Sequence, residues 1–266
     1  MAAVRHYGDP CGIARALDVI GDRWALLVVR ELIFGPKRFV QLRNDLHGVS
    51  PNVLAQRLRD LENAGVLRRG TLEPPASVPV YELTGRGRAL EPVLLELGRW
   101  GSREAVTTSD ELSVSALLLA LETVFDPAAA ADGTFGLRID GQWFGLTVAG
   151  GSIAITRGRP REPAATFDTG AATLRSVAFG REAIADAERD GRLAVRGDRA
   201  RAERFTRMFP VGLRAGRRGE DFGVGAAVVL GQDRAGLTRA VGQRPPADLA
   251  SRDRQARDGH RIAGGS

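Results

Sequence analysis

Of 266 residues only one is cysteine, Cys11, and only three are histidine, His6, His47 and His260. A single thiol excludes an internal disulfide framework. The histidines are scattered along the chain, so no ligand spacing for a metal is present and no cofactor is expected. Lysine is nearly absent: Lys37 is the only one, and the other basic residues are arginines. Long apolar runs are missing as well. The best of them, "ALLLALETVF" at 116–125, falls short of the roughly 18–20 residues of a membrane span and contains Glu122. The opening "MAAVRHYGDPCGIARALD" has no apolar core of the signal-peptide type, so a cytoplasmic location is expected. No nucleophile has a base beside it, and "GGSIAITRGRP" lacks the Gly-Lys pair of a phosphate loop, so an enzyme is not expected.

What is present suffices for two modest domains and a tail, with an ordinary hydrophobic fraction of 43%. Charge divides the chain unevenly. Residues 1–107 carry 15 basic against 12 acidic side chains, residues 108–216 carry 14 of each, and the remainder carries 9 against 6. A mildly basic first segment fits a nucleic-acid reader without demanding one. Helical spacing marks 13–22, 23–34 and 38–46, and "GPK" breaks the run. "VLRRGTL" (66–72) and "VPVYELT" (78–84) read as strands joined by "EPPAS", and 87–106 as one long helix. "TTSDELS" (107–113) reads as a linker. A helix near 114–125, a strand meander punctuated by Gly and Asp-Gly, two helices, a short strand and a closing helix follow. From about 216 the chain is rich in Gly, Arg, Asp and Pro without sustained period, and is expected to be mostly disordered.

The stretch "GVSPNVLAQRLRDLENAGVLRR" (48–69) carries its own start and stop signals. Ser50 is a good N-cap, Pro51 loses nothing at the first helical position, and Gly65 signals the end. At about 100° per residue, Leu54, Leu58 and Leu61 share one sector, and Asn52, Gln56, Arg59 and Asn63 fall opposite. Asn and Gln pair bidentately with adenine, and Arg with guanine. A polar face is also what any solvated amphipathic helix presents. Arg57, beside the buried sector, either reaches phosphate or braces the fold. Arg68 and Arg69 open the following strand, and Lys37 and Arg38 precede the helix before the turn; all four are candidates for phosphate contact.

In order and spacing, "CGIARALDVIGDRWALLVVRELIFGPKRF", "SPNVLAQRLRDLENAGVLRR", "VYELTGRGRALEPVL" and "RWG" resemble the HxlR-type winged helix-turn-helix regulators over about residues 8–107. The resemblance implies a homodimeric bacterial transcription factor on a double-stranded DNA operator. One helix of each subunit enters the major groove, and terminal helices form the dimer interface. The stripe of Leu90, Val93, Leu94, Leu97 and Trp100, with the Ile13 and Leu17 side of the first helix, is the expected two-fold contact. "EPPAS" departs from the pattern: it has no basic residue, whereas related wings often carry an arginine near the tip. Cys11 matches the N-terminal cysteine with which some of these regulators sense oxidants, and a helix N-terminus favours a thiolate. An inert small side chain is the alternative.

Residues 113–210 resemble the sterol carrier protein type 2-like fold through "DGQWFGLTVAGGSIAITRG", "ATFDTGAATL", "FGREAIADAERDGRLAVRGD" and "FTRMFP". That resemblance implies helices on one side of a curved sheet, with an apolar tunnel between them. An apolar or fatty-acid effector is then expected among Phe135, Trp143, Ile155 and Phe167, although each of these side chains also suits an ordinary core. The expected architecture is α+β: a winged-helix DNA-binding and dimerisation domain (1–107), an α/β sterol-carrier-like domain (108–215) and a tail (216–266). The rival reading is a lipid-binding or carrier protein whose N-terminal domain serves mainly for dimerisation.

Overall fold

The computed structural model describes residues 6–72, 77–102 and 111–210. Most of "EPPAS", most of the expected linker and all of the expected tail lie outside the described residues. No helix among those described is long and apolar enough to cross a membrane.

Helix α1 (Gly12–Ile20) leads into α2 (Ala25–Leu32), which buries Ala25, Val28, Val29, Leu32 and also Glu31. Next come α3 (Phe39–Asp45) and α4 (Pro51–Asn63), the latter with Leu54, Leu58 and Leu61 fully buried. Each such leucine contributes roughly 1.5–3 kcal/mol of burial. Strands β1 (Leu67–Thr71) and β2 (Pro79–Leu83) pair antiparallel, Leu67 opposite Leu83. Lys37 adds a third strand-like contact: its N–H donates to the Tyr81 carbonyl at 3.0 Å and its carbonyl accepts from Tyr81 N–H at 2.9 Å. The result is a winged helix-turn-helix.

The single helix expected over 87–106 is two. The short α5 (Gly85–Arg88) is capped by Thr84, whose hydroxyl accepts from Gly87 N–H at 3.2 Å and donates to the Gly65 carbonyl at 2.7 Å. Helix α6 (Glu91–Gly101) then starts afresh, with Pro92 in its first turn. Proline has no N–H for the preceding turn and excludes continuation through it.

Helix α7 (Val114–Val124), capped by Ser113, opens the second region, and a 3₁₀ turn (Pro127–Ala129) follows. Strands β3 (Gly133–Ile139), β4 (Gln142–Ala149), β5 (Ser152–Arg157), β6 (Ala165–Thr169) and β7 (Leu193–Gly197) form one sheet in the order β5-β4-β3-β6-β7. The expected meander therefore holds only through β5: β6 returns to the far side of β3 and pairs with it parallel. Helices α8 (Ala171–Ala178), α9 (Ile184–Arg189) and α10 (Arg199–Arg207) complete the region. One sheet face is apolar, with Phe135, Leu137, Leu146 and Phe167; the other carries Arg138 paired with Asp168 at 2.8 Å. Phe205 of α10 fills the centre of the apolar side, 5.3 Å from the Phe135 ring and 4.6 Å from that of Phe167.

The two regions share one continuous apolar core. Helix α7 packs on α2 and α6, and the Phe144 ring of β4 meets Phe34 edge-on at 6.4 Å. Gly98 of α6 lies so close to α7 that a Cβ there would sit 3.1 Å from the Thr123 hydroxyl.

Candidate nucleic-acid interface

Helix α4 is held at its start by Ser50, whose Oγ accepts from Val53 N–H at 3.3 Å. Ser50 is thus occupied in capping, although it remains exposed. The leucine face packs against α1 and α2, which turns Asn52, Gln56, Arg59 and Asn63 outward, all exposed. Two of these are linked to each other. Arg59 Nη2 donates to Gln56 Oε1 at 2.6 Å, and Gln56 Nε2 donates to Asp60 Oδ1 at 2.7 Å. The guanidinium and the amide are thereby lined up along the outer face, in a geometry that can be exchanged for base edges.

Arg57 belongs elsewhere. Its side chain is only 14% exposed and pairs with Asp22, between α1 and α2, and with Asp60 at 3.1 Å. Of the two roles open to it, the geometry supports the brace: it ties α4 to the segment that precedes α2.

Lys37 is the clearest departure. Its Nζ donates to Glu31 Oε2 and to Asp45 Oδ2, both at 2.7 Å, and its side chain is 12% exposed. An ammonium held by two carboxylates is not presented to phosphate. The partner, Glu31, is wholly buried and also accepts from Arg30 Nη2 at 2.7 Å and from Ser113 Oγ at 2.8 Å. Ser115 Oγ donates to the Glu31 carbonyl at 3.2 Å, so the network binds α2 to the cap and first turn of α7. Sequence reasoning missed Glu31. The available signal was a carboxylate at a core position of α2, six residues before the only lysine.

Arg38, at the start of α3, is exposed, and its backbone N–H donates to Gln41 Oε1 at 2.9 Å. In the wing, Arg68 Nε donates to Glu82 Oε1 at 2.9 Å across the hairpin, while Arg69 Nε donates to Glu62 Oε2 at 3.2 Å and its guanidinium lies over the Tyr81 ring. Both side chains are well exposed, at 68% and 62%. Exposed pairs of this kind contribute about 0–1 kcal/mol, so either arginine can trade its carboxylate for a phosphate.

The expected dimer stripe splits. Leu94 is buried within the subunit and Leu90 is half-buried. Val93, Leu97 and Trp100 point outward, as do Ile13 and Leu17 of α1, with exposures from 42% to 73%. Cys11 is exposed at the N-cap of α1, its N–H donating to Asp9 Oδ1 at 2.8 Å.

The four residues expected around an apolar ligand do not surround one space. Phe135 and Phe167 are sealed in the core against Phe205. Trp143 pairs with Arg138 across the β3–β4 register and so lies on the opposite sheet face, under the Arg159 guanidinium. Ile155 lines a cavity that none of the other three reaches.

A family model described as an HxlR-like helix-turn-helix matches residues 19–109. The uncharacterized HTH-type transcriptional regulator sll1512 of Synechocystis is 41% identical over 96 residues, covering 36% of this chain and 70% of that protein. The uncharacterized HTH-type transcriptional regulator YvaP of Bacillus subtilis is 37% identical over 89 residues, covering 33% of this chain and 82% of that protein. Among solved structures, quinone-bound YodB from B. subtilis is 30% identical, with a TM-score of 0.30, covering 35% of this chain and 97% of that one.

Proposed function

The chain belongs to the HxlR-like helix-turn-helix family, and from that premise we propose that it is a homodimeric transcriptional regulator reading duplex DNA with α4. The observation that carries the reading is the division of α4: three leucines inward, and Asn52, Gln56, Arg59 and Asn63 outward as an unburied polar row. Gln56 and Arg59 read base edges in the major groove, while Arg38, Arg68 and Arg69 meet phosphates on either side. Arg57 and Lys37 hold the reading head together and leave the DNA to the others.

The test is a binding titration on the DNA just upstream of the chain's own gene, at two salt concentrations. Gln56→Ala and Arg59→Ala should each cost about 1–3 kcal/mol and relax preference at one base position. Arg38→Ala and Arg68→Ala should weaken binding to all sequences alike, and each should lower the salt slope by about 0.9 for the phosphate it no longer neutralises. Uniform losses from all four variants would remove α4 from the groove. Binding that is neither salt-dependent nor sequence-selective would favour the carrier reading.

Dimerisation rests on Ile13, Leu17, Val93, Leu97 and Trp100, large apolar side chains exposed on two helices. A two-fold contact there sets half-sites about one duplex turn apart. Cys11, exposed at the start of α1, is in place to report oxidants to the same interface. Operator binding should then respond to diamide in the wild type and not in Cys11→Ser; an identical response in both proteins ends that reading. The second region, on its sequence pattern, is a sterol-carrier-like module, and its mixed sheet with packed helices supports that reading. A ligand role for it rests on a cavity beside α6, on the side roughly opposite the exposed stripe.

A further inference from the structure

Where α6 meets the second region, a cavity of about 370 Å³ opens between the two. Its apolar walls are Leu95 of α6, Phe125 after α7, and Ile153 and Ile155 of β5. Two carboxyl groups, Glu91 of α6 and Glu122 of α7, line the same space. Glu122 is 8% exposed. Its Oε1 accepts from Ile155 N–H at 3.0 Å, and its Oε2 is buried without a hydrogen-bond partner. Among the described residues neither carboxyl is in an ion pair.

A buried carboxylate without a cation is costly, and a second carboxyl beside it in an apolar pocket raises that cost. The cations nearby offset the pair only in part. Arg99 of α6 lines the cavity, but its Nη1 is engaged by Glu96 on the exposed side. From β5 the Ile155 N–H donates to Glu122, and Ser152 lines the cavity without adding charge. Burial holds the Glu91 carboxyl above its usual range, and the Arg88 guanidinium of α5 opposes this without overcoming it. The complement to such a pocket is one positive charge carried on an apolar body.

We propose that this cavity is a binding site for a hydrophobic organic cation, an alkyl or arylalkyl amine whose ammonium sits between Glu91 and Glu122 and whose body lies against Leu95, Phe125, Ile153 and Ile155. The volume suits a small ligand, at the lower end of the roughly 300–1,000 Å³ of small-molecule sites. The ammonium has three donors and can satisfy Glu122 Oε2 and the Glu91 carboxyl together. Burial, and then the neighbouring Glu91 charge, push the Glu122 carboxyl up to about 7, against the opposing Ile155 N–H. The cation must therefore bind the ionised form, and binding releases a proton when Glu122 begins protonated. Affinity rises with pH through that value. The site does not depend on the DNA-binding reading, because its occupancy is measurable with no DNA present.

The test is calorimetry on the full chain with three matched probes: 4-phenylbutylamine, the neutral 4-phenylbutanol and the anionic 4-phenylbutyrate. The amine should bind, and the alcohol should bind at least roughly tenfold more weakly. The acid should show no binding. Amine affinity should fall by more than roughly tenfold between about pH 8 and about pH 5.5, where the amine itself stays charged. Glu122→Gln and Glu91→Gln should each weaken the amine by roughly tenfold and leave the alcohol unchanged. Circular dichroism confirms that both variants are folded, and Glu91→Gln alters the partly exposed member of the pair should the other fail. No amine binding, equal affinity for amine and alcohol, binding of the acid, or an amine affinity indifferent to both substitutions each overturns the proposal.

Discussion

At the residue scale, the side chains that carry charge into the interior matter most. Glu122 has a folded-state value of about 7 against a usual 4.5, raised first by burial. The folded state therefore holds a proton that the unfolded state releases, and stability declines as pH rises from about 4.5 to about 7, with the full deficit present above that. Glu122→Gln carries no such deficit. The variant should be more stable than wild type above about pH 7, by up to about 3 kcal/mol, with the gap closing toward pH 4.5. Denaturant melts at three pH values check this, and a gap that is constant with pH would show that Glu122 is not the titrating group. Arg57 and Arg59 show how much two positions alter a role. One is 14% exposed between Asp22 and Asp60, whereas the other stands on the outer face beside Gln56.

At the element scale, α2 and α7 meet through Glu31, and Lys37 joins that contact to α3 through Asp45 and to β2 through its backbone. Lys37→Met removes one cation from a buried carboxylate while Arg30 remains, and should cost about 3 kcal/mol. The double variant Lys37→Met with Glu31→Gln should recover part of that loss, because the stranded charge is gone. Melting curves read the stability, and the salt slope of DNA binding should be unchanged in Lys37→Met. A slope lowered by about 0.9 would return Lys37 to the phosphate backbone. The β3–β4 hairpin makes a related point. Asp140 and Gly141 both have positive φ, 48° and 78°, as a two-residue turn requires, and this places Ile139 opposite Gln142. The same turn sets the parity that sends Trp143 to the face opposite Phe135. That parity was readable in the Asp-Gly pair.

At the scale of the whole molecule, α6 sits between two surfaces. Leu94 and Gly98 face the protein interior, Glu91 and Leu95 line the cavity, and Val93, Leu97 and Trp100 are exposed. If two copies meet through the exposed stripe, a charge there must break them apart. Leu97→Glu should convert the dimer to a monomer at micromolar concentration by light scattering and weaken operator binding, while leaving the melting of the isolated subunit nearly unaltered. A wild-type chain that is already monomeric, or a variant that stays dimeric, removes the stripe from the interface. A ligand beside α6 changes operator affinity only to the extent that it prefers one state of this helix, and the DNA would change ligand affinity by the same factor.

Reading the chain alone reaches as far as neighbours within one or two turns decide. Leucines at 54, 58 and 61 place a buried face on α4, Ser50 and Pro51 start that helix, and Asp140-Gly141 turns a hairpin. These signals rest on local geometry, so the winged helix and the outward polar row could be read before any packing was known. Pro92 was equally local, and it divides what periodicity alone joined into one helix. What each charge does was settled by packing. Arg57 finds Asp22 across 35 residues, Glu31 finds Ser113 across 82, and Glu122 meets β5 across 33. The role of a polar side chain follows from whether it is buried and from what partner lies within hydrogen-bond reach. Both are set by chain segments far away in sequence, which is why Lys37 became a structural tie and Glu122 part of a site.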